Sequence, residues 1–191
     1  VSIPHEKSDL SSGVNQNIEI QQSKYTFATS MPLAFDKMAT FKAITTNSYE
    51  LNIECSADWT ITAPDWIDVQ RSGSGNKTLT VYAHNNYMYE PRQDVIRIES
   101  VYQPTGTIHS DEFNVYQTGF VFEITPQNVA MPAFVRDETR RVSILTSAPW
   151  FVVQDANYKN YLATVNPTRG DADIEKSVTI ALQSNPNKYS R

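Results

Sequence analysis

The chain has 191 residues, 40% of them hydrophobic and 19% charged: enough apolar material for packed cores and too little charge for a disordered chain. Its net charge of -5 leaves no basic footprint to neutralise phosphates, so nucleic acid and an anionic membrane surface are not expected partners. No apolar stretch approaches the roughly 18 residues that cross a bilayer, so no membrane insertion is expected either.

Residues 1–24 are polar, with one short strand candidate at Ile18-Glu19-Ile20, and read as an arm or linker. The chain opens on Val1 without a basic-then-apolar leader, which fits an upstream part removed from an exported protein. From Tyr25 onward helical periodicity is almost absent, and strand-length alternation takes its place. It appears at Tyr49–Cys55, Thr78–Tyr82, Val95–Ile98, Phe113–Tyr116, Arg141–Ile144 and Ser177–Ile180. Turn formers punctuate these runs: Ala63-Pro64-Asp65, Asn85-Asn86, Pro104-Thr105-Gly106 and Asn166-Pro167-Thr168-Arg169-Gly170. Ser72-Gly73-Ser74-Gly75-Asn76 reads as a hairpin turn; it precedes a strand and completes no dinucleotide fingerprint. Short strands broken by such turns indicate a sandwich or barrel. Period-2 alternation selects Leu51, Ile53, Cys55, Trp59, Leu79, Val81, Ile96, Ile98 and Val115 as one buried set. Cys55, the single cysteine, is thereby a small core hydrophobe, and no internal disulfide can form.

The chain also repeats itself. Ser56-Ala57-Asp58-Trp59 recurs 91 residues later as Ser147-Ala148-Pro149-Trp150, and at the same offset Leu51, Ile53 and Cys55 fall opposite Val142, Ile144 and Thr146. Met31-Pro32-Leu33-Ala34-Phe35 echoes Met131-Pro132-Ala133-Phe134, Thr78–Val81 matches Ser177–Ile180, and Asn85 with Arg92 matches Asn185 with Arg191. Two copies of one module follow, with a boundary near Gly119.

In the first copy the order is an alternating strand, Ser-Ala-Asp-Trp, a second tryptophan in Trp66-Ile67-Asp68-Val69, and a Gly-rich turn. Thr78-Leu79-Thr80-Val81, Asn85, a strand opened by Arg92 and a closing Phe113-Asn114-Val115-Tyr116-Gln117-Thr118 complete it. This set resembles the BACON domain, an immunoglobulin-like sandwich found mostly in proteins of Bacteroidota and some of their phages. The resemblance spans roughly Tyr25 to Thr118. It implies an all-β chain of two tandem immunoglobulin-like β-sandwich modules: an arm over 1–24, a module over 25–119, and a divergent copy over 120–191. That copy lacks the second tryptophan and stops at the counterpart of Arg92, before two further strands. Either the natural protein continues past Arg191, or a strand from elsewhere, such as a partner chain, adds to the open edge.

The tryptophans are expected to cover the gap between sheets and not to stack on sugar. Tyrosines make the better ligand surface: Tyr82, Tyr87, Tyr89 and Tyr102 cluster in sequence near one strand end and the loop from Asn85 to Pro91, where a ring can stack on a sugar face and its hydroxyl can hydrogen-bond. Tyr158 and Tyr161 form a weaker pair in the second copy. Catalytic signatures are missing: His5, His84 and His109 are scattered, and neither metal-ligand spacing nor a serine-nucleophile elbow occurs. Asp65 and Asp68 flank one turn and cannot face each other across a glycosidase cleft. Asp171, Asp173 and Glu175 alternate like calcium ligands without the bending glycine, so no metal or other cofactor is expected. Arg169-Gly170-Asp171, on an expected loop, and the sequon Asn76-Lys77-Thr78 receive no function.

The expectation is thus a non-enzymatic, extracellular or cell-surface binding protein, part of a surface lipoprotein or a phage appendage, with a glycan or mucin ligand. The alternatives are a structural spacer or assembly module without glycan binding, and an accessory part of a glycoside hydrolase whose catalytic domain lies elsewhere.

Overall fold

The computed structural model describes residues 24–33, 38–130, 139–153 and 162–182. The expected strand at Ile18–Ile20, the Met131–Phe134 echo, Tyr158, Tyr161, Asn185 and Arg191 lie outside the described residues.

The protein is an all-β sandwich, and among the described residues there is no helix. The first nine strands are β1 (Phe27–Ser30), β2 (Met38–Phe41), β3 (Ser48–Cys55), β4 (Asp58–Thr62), β5 (Ile67–Asp68), β6 (Ser72–Ser74), β7 (Lys77–Ala83), β8 (Arg92–Tyr102) and β9 (Thr107–Gln117). They form two sheets, ordered β1-β3-β7-β5 and β2-β9-β8-β4-β6. All nine residues expected in the core are buried, joined by Phe41, Ile61, Ile67 and Phe113. The physical reason is the strict alternation: β3 and β4 bury every second side chain, and the inward rows of the two sheets meet. Trp59 is fully buried, its indole N–H donating to the Gly75 carbonyl at 3.0 Å.

The stretch from Ser72 to Asn76 is not a hairpin turn. Ser72–Ser74 is a strand on β4, whereas Lys77 begins β7 in the opposite sheet, so the chain crosses between sheets at Gly75 and Asn76. Gly75 takes the left-handed conformation (φ 68°), and Asn76 Oδ1 accepts the Cys55 N–H at 3.0 Å. Gly73 has a different role. It pairs with Trp59, and a Cβ there would fall 2.3 Å from the indole ring.

The remaining strands are β10 (Phe122–Thr125), β11 (Thr139–Thr146), β12 (Trp150–Phe151), β13 (Leu162–Asn166), β14 (Arg169–Gly170) and β15 (Lys176–Leu182). The order β10-β11-β15-β13 forms one sheet, and among the described residues β12 pairs only with β14. Trp150 is buried with Val142, Ile144 and Val178. Gly170 pairs with Trp150, and a Cβ on it would fall 2.4 Å from that ring, so the Trp59–Gly73 arrangement recurs. The Arg169-Gly170-Asp171 tripeptide therefore begins on a strand, not on the expected loop. Among the described residues no strand stands where β8 and β9 stand in the first region. The apolar face there is open as a groove of about 450 Å³ lined by Ile124, Val142, Ile144, Trp150, Val178 and Ile180, with Phe122 and Phe151 exposed on its rim.

Candidate functional site

β7 ends at Ala83, and residues 84–91 carry the chain to Arg92 at the start of β8. Tyr82 is on the outward face of β7, 48% exposed, with Ser48 and Asp68 as cross-strand neighbours. Beyond it Tyr87, Met88 and Tyr89 are 71%, 69% and 71% exposed, an unusual run of large apolar surface on one short loop.

The loop is braced from beneath by asparagines. Asn86 is buried: its N–H donates to the Ala43 carbonyl at 2.8 Å, and its amide group donates to the carbonyls of Glu90 and Thr118 at 2.9 and 3.0 Å. Its Oδ1 accepts the Met88 N–H at 3.1 Å. Asn85 accepts the Thr45 N–H at 3.3 Å and donates to the Tyr87 hydroxyl at 3.1 Å. The apolar run is therefore exposed on a loop pinned by hydrogen bonds at Asn86, Met88 and Glu90, a preorganised surface.

At the base lies a second polar cluster. Gln117 is fully buried; its amide group donates to the carbonyls of Lys42, Ala43 and His84, and its Oε1 accepts Arg92 Nε–H at 2.8 Å. Arg92 also donates to the His84 carbonyl at 2.7 Å and lies over the Trp66 ring, 4.7 Å from its centroid. Desolvation lowers the pKa of Arg92 from its ordinary value. This cation is occupied by structure. Trp66 itself is half-buried against the core.

Tyr82, Tyr87 and Tyr89 belong to the end of the sandwich where β7 runs out and β8 begins. Tyr102 does not join them. It ends the 11-residue β8, about 33 Å along the strand from Arg92. There it pairs with Thr107 and packs on Tyr25, with ring centroids 5.0 Å apart. Sequence proximity across a loop misled because a long strand leads the chain away. What sequence reasoning missed was the brace: Asn86 and Gln117 read as ordinary loop and strand polar residues. The only available signal was Gln117 at an inward-facing position two after Val115.

The acidic candidates diverge. Asp65 and Asp68 are exposed. Asp173 accepts Lys42 Nζ at 2.8 Å, and the Glu175 carboxylate accepts the Ser143 hydroxyl. Among the described residues no group of three His, Cys, Asp or Glu side chains is placed to hold a metal ion. Among them, too, no helix is long and apolar enough to cross a membrane.

Solved structures match this chain at low similarity. A Bacteroides ovatus GH5 xyloglucanase in complex with a XXXG heptasaccharide is 18% identical over 58% of this chain, with a TM-score of 0.38; the match takes in 23% of the xyloglucanase chain. A protein of unknown function from Porphyromonas gingivalis W83 is 11% identical, covering 81% of this chain and 82% of its own, with a TM-score of 0.37. The CsuC-CsuE chaperone-tip adhesion subunit pre-assembly complex from archaic chaperone-usher Csu pili of Acinetobacter baumannii supplies a chain 9% identical, covering 82% and 90%, with a TM-score of 0.33. No curated protein matches the sequence. Residues 49–118, from the second residue of β3 to just beyond β9, match the BACON family, described as "BACON: Putative binding domain, N-terminal".

Proposed function

We propose that the chain is a non-catalytic, extracellular glycan-binding protein, and that Tyr82, Tyr87 and Tyr89 form the ligand surface. The observation that carries this reading is the braced loop with Tyr87, Met88 and Tyr89 each about 70% exposed. The family match adds a binding-domain description. Flat rings with hydroxyl tips suit the C–H face of a pyranose. The loop's own charge is Glu90, Tyr82 lies opposite Asp68, and Arg92 is engaged below, so the surface favours an uncharged sugar. A glycan array read with the native chain and with Tyr87→Ala and Tyr89→Ala tests the reading. Loss of signal in both variants is expected; absence of binding, or binding untouched by both changes, sinks it.

In this reading the chain is a tandem of two immunoglobulin-like modules, 25–119 and 120–191, the second a divergent copy. The recurrent Trp–Gly pairing and the matching strand orders support it. A second reading, an assembly module, is favoured by the open groove beside β12. Its occupant would be a strand from a partner chain, with apolar residues at alternate positions, paired to the edge of β12 that no described strand occupies, as β8 pairs with β4. A synthetic peptide carrying the β8 pattern should quench Trp150 fluorescence and lose that effect with Phe151→Asp; no quenching by any alternating peptide would end this reading.

A further inference from the structure

The tyrosine loop and the segment that leads to β10 share one hydrogen-bond system. Met88 is held on both sides: its N–H donates to Asn86 Oδ1, and its carbonyl accepts the Phe120 N–H at 2.7 Å. Asn86 reaches the same segment through the Thr118 carbonyl. Between these contacts lies Gly119, so close beneath the loop that a Cβ would fall 1.8 Å from the Tyr89 carbonyl oxygen and 2.5 Å from its carbon. The glycine is required by this approach and not by its conformation, since only Gly75 and Gly106 among the described glycines have positive φ.

One residue further on, the chain is clipped to the second region. Val121 N–H donates to the Ser147 hydroxyl and Val121 carbonyl accepts the Ser147 N–H, both at 2.9 Å. Ser147 is the serine of Ser147-Ala148-Pro149-Trp150, and it is buried. Its counterpart Ser56 holds Thr26 in the same reciprocal way, at 3.0 and 3.1 Å. A backbone path thus runs from Ser147 through Val121 and Phe120 to the carbonyl of Met88, between the two exposed tyrosines.

We propose that Thr118–Phe120 shapes the tyrosine surface, with Gly119 as its positioning residue, so that ligand affinity of the first region depends on its attachment to the second. The affinity part rests on the glycan reading above; the structural part does not. In the full chain, Gly119→Ala should shift the backbone amide resonances of Met88, Tyr89 and Glu90 while leaving those of β3 and β7 in place. Ser147→Ala, which removes one acceptor from Val121, should speed hydrogen exchange at Phe120 without touching the first core, and covers the case in which the alanine at 119 prevents folding. On an array, both variants should lose the signal that the native chain gives. Unchanged amide shifts at 88–90 together with unchanged exchange at Phe120 would overturn the proposal. A native chain that binds no glycan would overturn the glycan reading instead, leaving the linker's role to be decided by the amides.

Discussion

The two regions of this molecule use one device to different ends. In each, an alternating strand leads into a serine that clips the start of the region, and then into a tryptophan seated on a glycine of the neighbouring strand. In residues 24–119 the ring lies in a closed core, its own sheet is extended by β8, β9 and β2, and its N–H is satisfied by Gly75. In the second region the described residues leave the ring against an open groove, and the buried Trp150 indole N–H has no partner. The repeated device locates a tryptophan; the strands that extend its own sheet decide how firmly it is held.

The strongest way to break this comparison is to remove the rings. Trp59→Ala should cost about 3 to 5 kcal/mol, the usual loss for a large aromatic in a closed core, and is expected to unfold the first region. Trp150→Ala should fall below that range, because part of its surroundings is already empty. Urea unfolding of both variants checks this; equal losses would mean that the second ring is as well packed as the first.

Next comes the buried brace. Gln117→Leu keeps volume but removes the partner of Arg92 Nε–H and of the Lys42 carbonyl, while the Ala43 and His84 carbonyls keep the Asn86 N–H and Arg92. With each unsatisfied buried group costing about 1 to 3 kcal/mol less whatever water restores, a net loss of about 2 to 3 kcal/mol is expected. Because the brace supports the tyrosine loop from below, the exchange of the Asn86 amide should accelerate as well. A stable protein with an unaltered loop would show that the brace is dispensable.

What sequence could reveal divides along the same line. Alternation at Leu51, Ile53, Cys55, Ile96 and Ile98 made the closed core legible, since one face of each strand had to be apolar. The parallel pairing of β2 with β9 was not legible: Met38–Phe41 is too short to show a period, yet Ala39 and Phe41 are fully buried. The three tyrosines near one strand end were legible as a candidate surface, whereas the separation of Tyr102 depended on the length of β8. The buried asparagine and glutamine that shape the site carry no periodic signature, and the demand for glycine at 73, 119 and 170 arises only once distant segments meet.

Those glycines sharpen the comparison at lower energy. Gly73→Ala drives a methyl group into a buried ring held by its hydrogen bond to Gly75, for which about 1 to 3 kcal/mol is the usual overpacking cost. Gly170→Ala meets a similar approach, 2.4 Å against 2.3 Å, but Trp150 has no hydrogen bond to lose and free space beside it. It should cost clearly less. Thermal melting of the pair measures the difference, and equal shifts would argue against a movable second ring.

The smallest effect concerns the ion pair that joins Lys42 of the first region to Asp173 of the second. Lys42 Nζ lies 2.8 Å from Asp173, with the two side chains 61% and 36% exposed, so solvent and salt screen the attraction. Exposed pairs of this kind contribute about 0 to 1 kcal/mol, and Lys42→Ala should change stability by no more than that, with the difference fading as ionic strength rises. Asp173 adds a second term, because its backbone is left-handed (φ 56°) and its N–H donates to the Thr146 carbonyl at 2.7 Å. An alanine there keeps the strained conformation while losing the carboxylate, whereas a glycine loses the carboxylate and relieves the strain, typically worth about 1 kcal/mol. Asp173→Gly should therefore be more stable than Asp173→Ala at any salt concentration, and Lys42→Ala should fall between them at low salt. If the two Asp173 variants melt together, the turn is free to leave the left-handed conformation, and the ion pair alone holds Asp173 in place.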